Sequence, residues 1–140
     1  MREADGATRF LFAPLVYAWV SPTTAVGLAF GILSLFSGAH VRRSRGTMQF
    51  YGGAIGRCFN HVPMDPLAVA LGHVIIARDA DALDLTEEHE LVHVRQAELF
   101  GPLFLPAYAA ASLLAWMKGG HAYWDNWFER DARGSCRDRL

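Results

Sequence analysis

His89 and His93 stand four residues apart with a glutamate beside the first, so His89-Glu90-Leu91-Val92-His93 reads H-E-x-x-H. Residues four apart on a helix share a face, and two imidazoles placed that way can hold one zinc ion. Glu90 then lies where it can take a proton from water activated by the metal. A peptidase-type zinc site needs three protein ligands and one open position, so the third ligand decides the class. The longer pattern H-E-x-x-H-x-x-G-x-x-H is excluded, because Gln96 and Leu99 occupy its later positions. The other large class draws a glutamate from a later helix. Glu129 follows His93 by 36 residues, which leaves room for a helical hairpin to return over the motif helix. His121, His73 and Glu98 are the alternative third ligands. Asn126-x-x-Glu129 also has capping-box spacing, which gives Glu129 a plain helix-starting role instead.

The elements around these residues follow from punctuation. A helix should begin near Asp84 or Thr86, with Glu87 and Glu88 at its positive end, and stop at Gly101-Pro102. A second, very apolar helix covers about 103–117, and a last one starts near Asp125 or Asn126. Upstream, residues 47–58 and 68–78 are rich in β-branched and aromatic side chains. Turn-forming Asn60, Pro63, Asp65 and Pro66 separate them, so two or three short strands are expected. The run 79–84 reads as an acidic loop.

Residues 10–40 contain no Asp, Glu, Lys or Arg, and this stretch is long enough to cross a bilayer. Ser21-Pro22 reads as an N-cap with proline at the first helical position, and Pro14 should bend the piece before it. The expectation is one kinked span or two half-length helices in a re-entrant hairpin; a buried apolar hairpin is the bland alternative. Gly27 and Gly31 would let another helix approach closely. Arg42, Arg43 and Arg45 follow at once and place the rest of the chain in the cytoplasm, although Arg2 and Arg9 pull the other way. The division expected is 1–43 for the apolar segment and 44–140 for the metal-binding domain.

A length of 140 residues fits one domain, 52% hydrophobic content is high for it, and a net charge of -1 excludes an electrostatic case for nucleic acid. Cys58 and Cys136 are not in a C-x-x-C pair and read as reduced thiols.

The H-E-x-x-H helix with a downstream glutamate resembles the gluzincin zinc peptidases, and the size suggests a minimal gluzincin core. The stretch GHVIIARD…HELVHVRQAELFGPLFLPAY…NWFERDAR is similar to a family of small bacterial membrane proteins. The resemblance implies an α+β fold: a zincin-like core with a short antiparallel sheet packed on the motif helix and the helices after it. It also implies zinc (Zn2+) on His89, His93 and Glu129, Glu90 as general base and then proton donor, and a peptide or protein substrate at the cytoplasmic membrane. One departure stands out. Many gluzincins carry an acidic residue four positions after the glutamate ligand, to orient a ligand histidine, and here Arg133 occupies it. Asp131 or an acid from 79–84 is expected to substitute.

His73 and Tyr123 are candidates to stabilise an oxyanion near the metal, although a strand histidine and an aromatic packed on Trp124 are the blander readings. Gly72 could allow a peptide backbone to approach along a strand edge. Tyr123, Trp124, Trp127 and Phe128 read as a core or bilayer-interface belt. Two rival functions remain: a zinc-stabilised membrane module that binds or senses a partner without cleaving it, and an inactive protein whose motif serves only packing. The plain reading of His89 and His93 is a pair of histidines on a solvated helix face.

Overall fold

The computed structural model describes residues 3–63 and 65–138, with side chains from Ala13 onward; Arg2 and the Arg9 side chain lie outside the described set. The fold is α+β. Helix α1 spans Glu3–Leu35, then come β1 (Ala39–Ser44), β2 (Thr47–Gly52), α2 (Gly53–Phe59), β3 (Ala68–Leu71) and β4 (Val74–Ala77). Helix α3 (Ala80–Phe100), a 3-10 turn (Gly101–Leu103), α4 (Phe104–Met117) and α5 (Trp127–Arg137) complete the chain.

The strands form one sheet in the order β1-β2-β4-β3. It is mixed, not antiparallel as expected: β2 and β4 run parallel, while β1-β2 and β3-β4 are antiparallel. The reason is α2. Positive φ at Gly52 and Gly53 ends β2 there, and the chain turns into a helix over residues read from the sequence as strand. Gly56 then lies so close to the Arg78 carbonyl that a Cβ would sit 2.3 Å from it. The crossover through α2 and β3 brings β4 alongside β2 in the same direction.

All four residues of β4 are buried, because the sheet is covered on both faces. Ile75 and Ala77 pack with Ala68, Ala70, Leu83 and Val94 on the α3 side, while Val74 and Ile76 join Phe50 on the α1 side. A third cluster, Val20, Ala97, Phe104 and Phe128, ties α1, α3, α4 and α5 together.

Helix α1 is continuous through Pro14 and Pro22, so the half-length hairpin is overturned. Proline 22 has no N–H to give the Ala18 carbonyl, and the Ser21 hydroxyl donates to that carbonyl instead, at 2.7 Å. Ser21 thus repairs the helix rather than starting one. Gly27 and Gly31 do allow close approach, but of the sheet: a Cβ on Gly27 would lie 2.8 Å from Val74, and one on Gly31 2.4 Å from the Phe50 ring. Val20, Thr23 and Ser34 continue this buried stripe, while Leu15, Trp19, Phe30 and Leu33 on α1 are exposed.

The arginines after α1 hold β1 and β2 to α3. Arg42 bonds Gln49 Oε1 at 2.8 Å and Asp84 at 2.7 Å, Gln49 reaches Glu87 at 2.9 Å, and Arg45 pairs with Glu88. Residues 39–43 therefore belong to a strand of the sheet. Two stretches, 13–35 and 80–117, are long and apolar enough to cross a membrane. In the second, the first helix carries the charges that meet the sheet. The apolar part, α4, has 14 residues and a length of about 21 Å, short of a bilayer's hydrocarbon core.

Candidate metal centre

Helix α3 starts earlier than Asp84. Asp79 is its N-cap and accepts from the Ala82 amide at 2.8 Å, so the acidic run forms the first turns rather than a loop. The helix ends where glycine was expected to end it: Gly101 has φ +57, and its amide bonds the Ala97 carbonyl. Between these ends Glu90 and His93 are buried and His89 is half-buried.

Helix α5 brings the third group. Asn126 is its N-cap and accepts from the Phe128 amide at 2.8 Å, while its amide nitrogen donates to the Tyr108 carbonyl and to Ser112 Oγ on α4. Those bonds fix α5 against α4 and leave Glu129 free of any capping task. Its carboxylate instead meets the histidines: Oε2 lies 3.0 Å from His89 Nε2, and Oε1 lies 3.2 Å from His93 Nε2. The two Nε2 atoms are 3.1 Å apart. These contacts use different oxygens of Glu129; taking one donor atom from each residue, all three lie within 4.8 Å of one another, a group that could hold a metal ion. Two imidazoles and a carboxylate are a donor set that suits a divalent metal ion.

Hydrogen bonds aim the ligands. Gln96 Nε2 donates to the Phe128 carbonyl at 3.1 Å and to Asp131 Oδ2 at 2.8 Å, so its Oε1 must be the atom 2.8 Å from His93 Nδ1. His93 Nδ1 therefore carries a proton, which makes Nε2, now shared with Glu129, the nitrogen that a metal would take once its own proton is lost. Asp131, expected as a substitute for the acid missing at Arg133, meets Gln96 rather than a histidine, and reaches His93 only through it. Tyr108 donates to Glu129 Oε1 at 2.7 Å.

The electrostatics follow from burial and these contacts. Burial pushes the Glu90 carboxyl upward, against the pull of both histidines, and its Oε2 has no hydrogen-bond partner among the described residues. Burial would raise Glu129 too, but bonds from His89, His93 and Tyr108 outweigh it and hold the carboxyl well below the usual range. Burial opposes the charged form of His93, yet Glu129 and Glu90 more than compensate, and its value is raised. Burial and Glu129 together push the Tyr123 hydroxyl up, so it stays a proton donor.

A cleft of about 170 Å³ opens beside the triangle, between β3 and α4, with Glu90, His93, Glu129, Tyr108 and Tyr123 in its wall. Strand β3 is one of the sheet's two outer strands, and its Ala70 amide bonds the Glu90 carboxylate. Of the two proposed oxyanion residues, only Tyr123 is at this cleft. His73 sits in the β3-β4 turn, bonded to Glu98 at 2.8 Å and packed on Tyr17. His121 binds the Tyr123 and Trp124 amides, so none of the three alternative ligands joins the triangle. Gly72 is closed by α1, where Thr24 Oγ1 would be 2.3 Å from a Cβ. Neither cysteine forms a disulfide.

Sequence reasoning missed Gln96 and Tyr108. Gln96 is three residues after His93, on its face of the helix, and that spacing was the available signal. Tyr108 and Ser112 form an i, i+4 polar pair on an otherwise apolar helix, which marks a face with polar partners. No protein-family profile, curated protein or solved structure matches the chain.

Proposed function

We propose that this chain is a membrane-associated zinc metallopeptidase of gluzincin type, with a zincin-like core. The observation that carries the proposal is the cluster of His89, His93 and Glu129, whose imidazole nitrogens lie 3.1 Å apart and each meet one oxygen of the Glu129 carboxylate at 3.0 and 3.2 Å, beside a buried carboxylate and an open strand edge. Zinc held there would supply Lewis acidity toward a peptide carbonyl and make water more acidic. Glu90, desolvated and with a free oxygen, accepts the proton from that water and returns it to the leaving amine. The Tyr123 hydroxyl, kept protonated, donates to the oxygen on which negative charge develops. Strand β3 pairs with the substrate backbone through its open side, and Val69, Leu71 and Phe104 make the adjoining wall apolar.

The bilayer contact is assigned to the outer faces of α1 and α4, where Leu15, Trp19, Phe30, Leu113, Trp116 and Met117 are exposed. One observation favours a second reading, a zinc-stabilised module that binds without cleaving: 170 Å³ is below the usual range for small-molecule pockets. Purified protein in detergent should contain one zinc per chain and cleave members of a mixed peptide library. Glu90→Gln should keep the zinc and lose cleavage by about 10²-fold or more. Zinc without cleavage in the wild type selects the binding module, and absence of zinc rejects both.

A further inference from the structure

Arg133 is a cation fixed beside the metal triangle with part of its donor capacity unused. One turn after Glu129 on α5, its Nη2 donates to the Trp124 carbonyl, and its guanidinium lies 5.3 Å from the Trp124 ring centre. Its Nη1 is buried and has no acceptor among the described residues, and no carboxylate pairs with it there. A guanidinium nitrogen without an acceptor is costly, and the side chain as a whole is only partly buried, so a ligand oxygen reaching it from the adjoining hollow would relieve that cost. Arg133 lines two hollows that meet at His89. One runs back along β3. The other, on the far side of His89, is walled by Arg45, Arg133 and Arg137 against the single acid Glu88, which already pairs with Arg45. Positive charge therefore concentrates on one side of the triangle, while the β3 side is apolar.

We infer that Arg133 determines specificity, by binding a substrate carboxylate placed just beyond the scissile bond while the apolar end lies along β3. The inference rests on the peptidase reading for the word substrate, but the anion site itself does not. The carboxylate is that of an acidic side chain or of the chain terminus. Both present the planar pair of oxygens that a guanidinium fork matches.

The test is calorimetric binding to the zinc-loaded full chain in detergent, with two probes: succinyl monohydroxamate and its carboxamide counterpart. The carboxylate probe should bind about tenfold more tightly to the wild type. Arg133→Gln should remove that preference, Arg133→Lys should keep part of it, and Arg137→Gln should leave most of it. Retention of one zinc and of the wild-type circular dichroism shows that each variant folds. Equal binding of the probes by wild type, or a preference that survives Arg133→Gln, overturns the inference and leaves Arg133 as a brace for Trp124. Two competitor peptides, one with an internal aspartate and an amidated end and one neutral with a free end, show which carboxylate is read. A carboxylate preference without cleavage of any peptide would sink the peptidase reading alone.

Discussion

His93 Nδ1 lies 2.8 Å from Gln96 Oε1, on the side of the imidazole turned away from Glu129. Because Gln96 is itself oriented by Asp131 and by the Phe128 carbonyl, this contact fixes which nitrogen of His93 can bind a metal. Gln96→Leu is expected to weaken zinc binding by about 10- to 100-fold, the usual effect of losing a ligand's hydrogen-bond partner. Tyr108→Phe, which removes one bond to Glu129, should cost less than Gln96→Leu. Competition with a fluorescent chelator measures both, and unchanged affinity in Gln96→Leu would show that the relay does not orient the ligand.

The pH dependence of the metal-free protein has a worked sign. Glu129 is held below its ordinary 4.5, so its contribution is present above that value and is lost as pH falls toward its folded value. His93 is raised above its ordinary 6.5, so its contribution is complete below that value and is lost as pH rises through the folded one. Glu90, raised by burial, adds to the loss on the alkaline side. Metal-free protein should therefore be most stable in mild acid. Zinc, which requires His93 to lose its proton, should move the optimum toward neutral pH and release protons on binding. Thermal unfolding across pH, with chelator and with zinc, tests this; coincident optima would contradict it.

Two glycines should respond oppositely to alanine. Gly31→Ala places a Cβ 2.4 Å from the buried Phe50 ring and is expected to destabilise by about 1–3 kcal/mol. Gly134→Ala, inside α5 with nothing within 4 Å, should stabilise by about 0.5–1 kcal/mol. Chemical unfolding of both variants checks whether α1 is packed on the sheet. A neutral Gly31→Ala would mean that it is not.

Much of the site was legible because it depends on local signals. The H-E-x-x-H spacing fixes a shared helix face, Gly101 marks the stop, and Asn126 marks the start that delivers Glu129. What was not legible depends on contacts far apart in sequence. Arg42 and Arg43 read as a membrane flank, yet they lie in β1, and Arg42 is bound to Asp84 on α3. Pro22 read as a helix start, because the Ser21 hydroxyl that rescues the Ala18 carbonyl has the same identity as an N-cap. Gly52-Gly53 was hidden in an apolar run, so α2 and the parallel pairing it permits went unseen.

The central claim is that Glu129 is the third ligand. A crystal structure or X-ray absorption study of the zinc-loaded protein should find a Glu129 oxygen at about 2.0–2.2 Å from the ion, with His89 and His93 nitrogens at about 2.0–2.1 Å. Zinc bound by the two histidines, with the Glu129 carboxylate turned away toward Tyr108 or Asn126, would contradict the account.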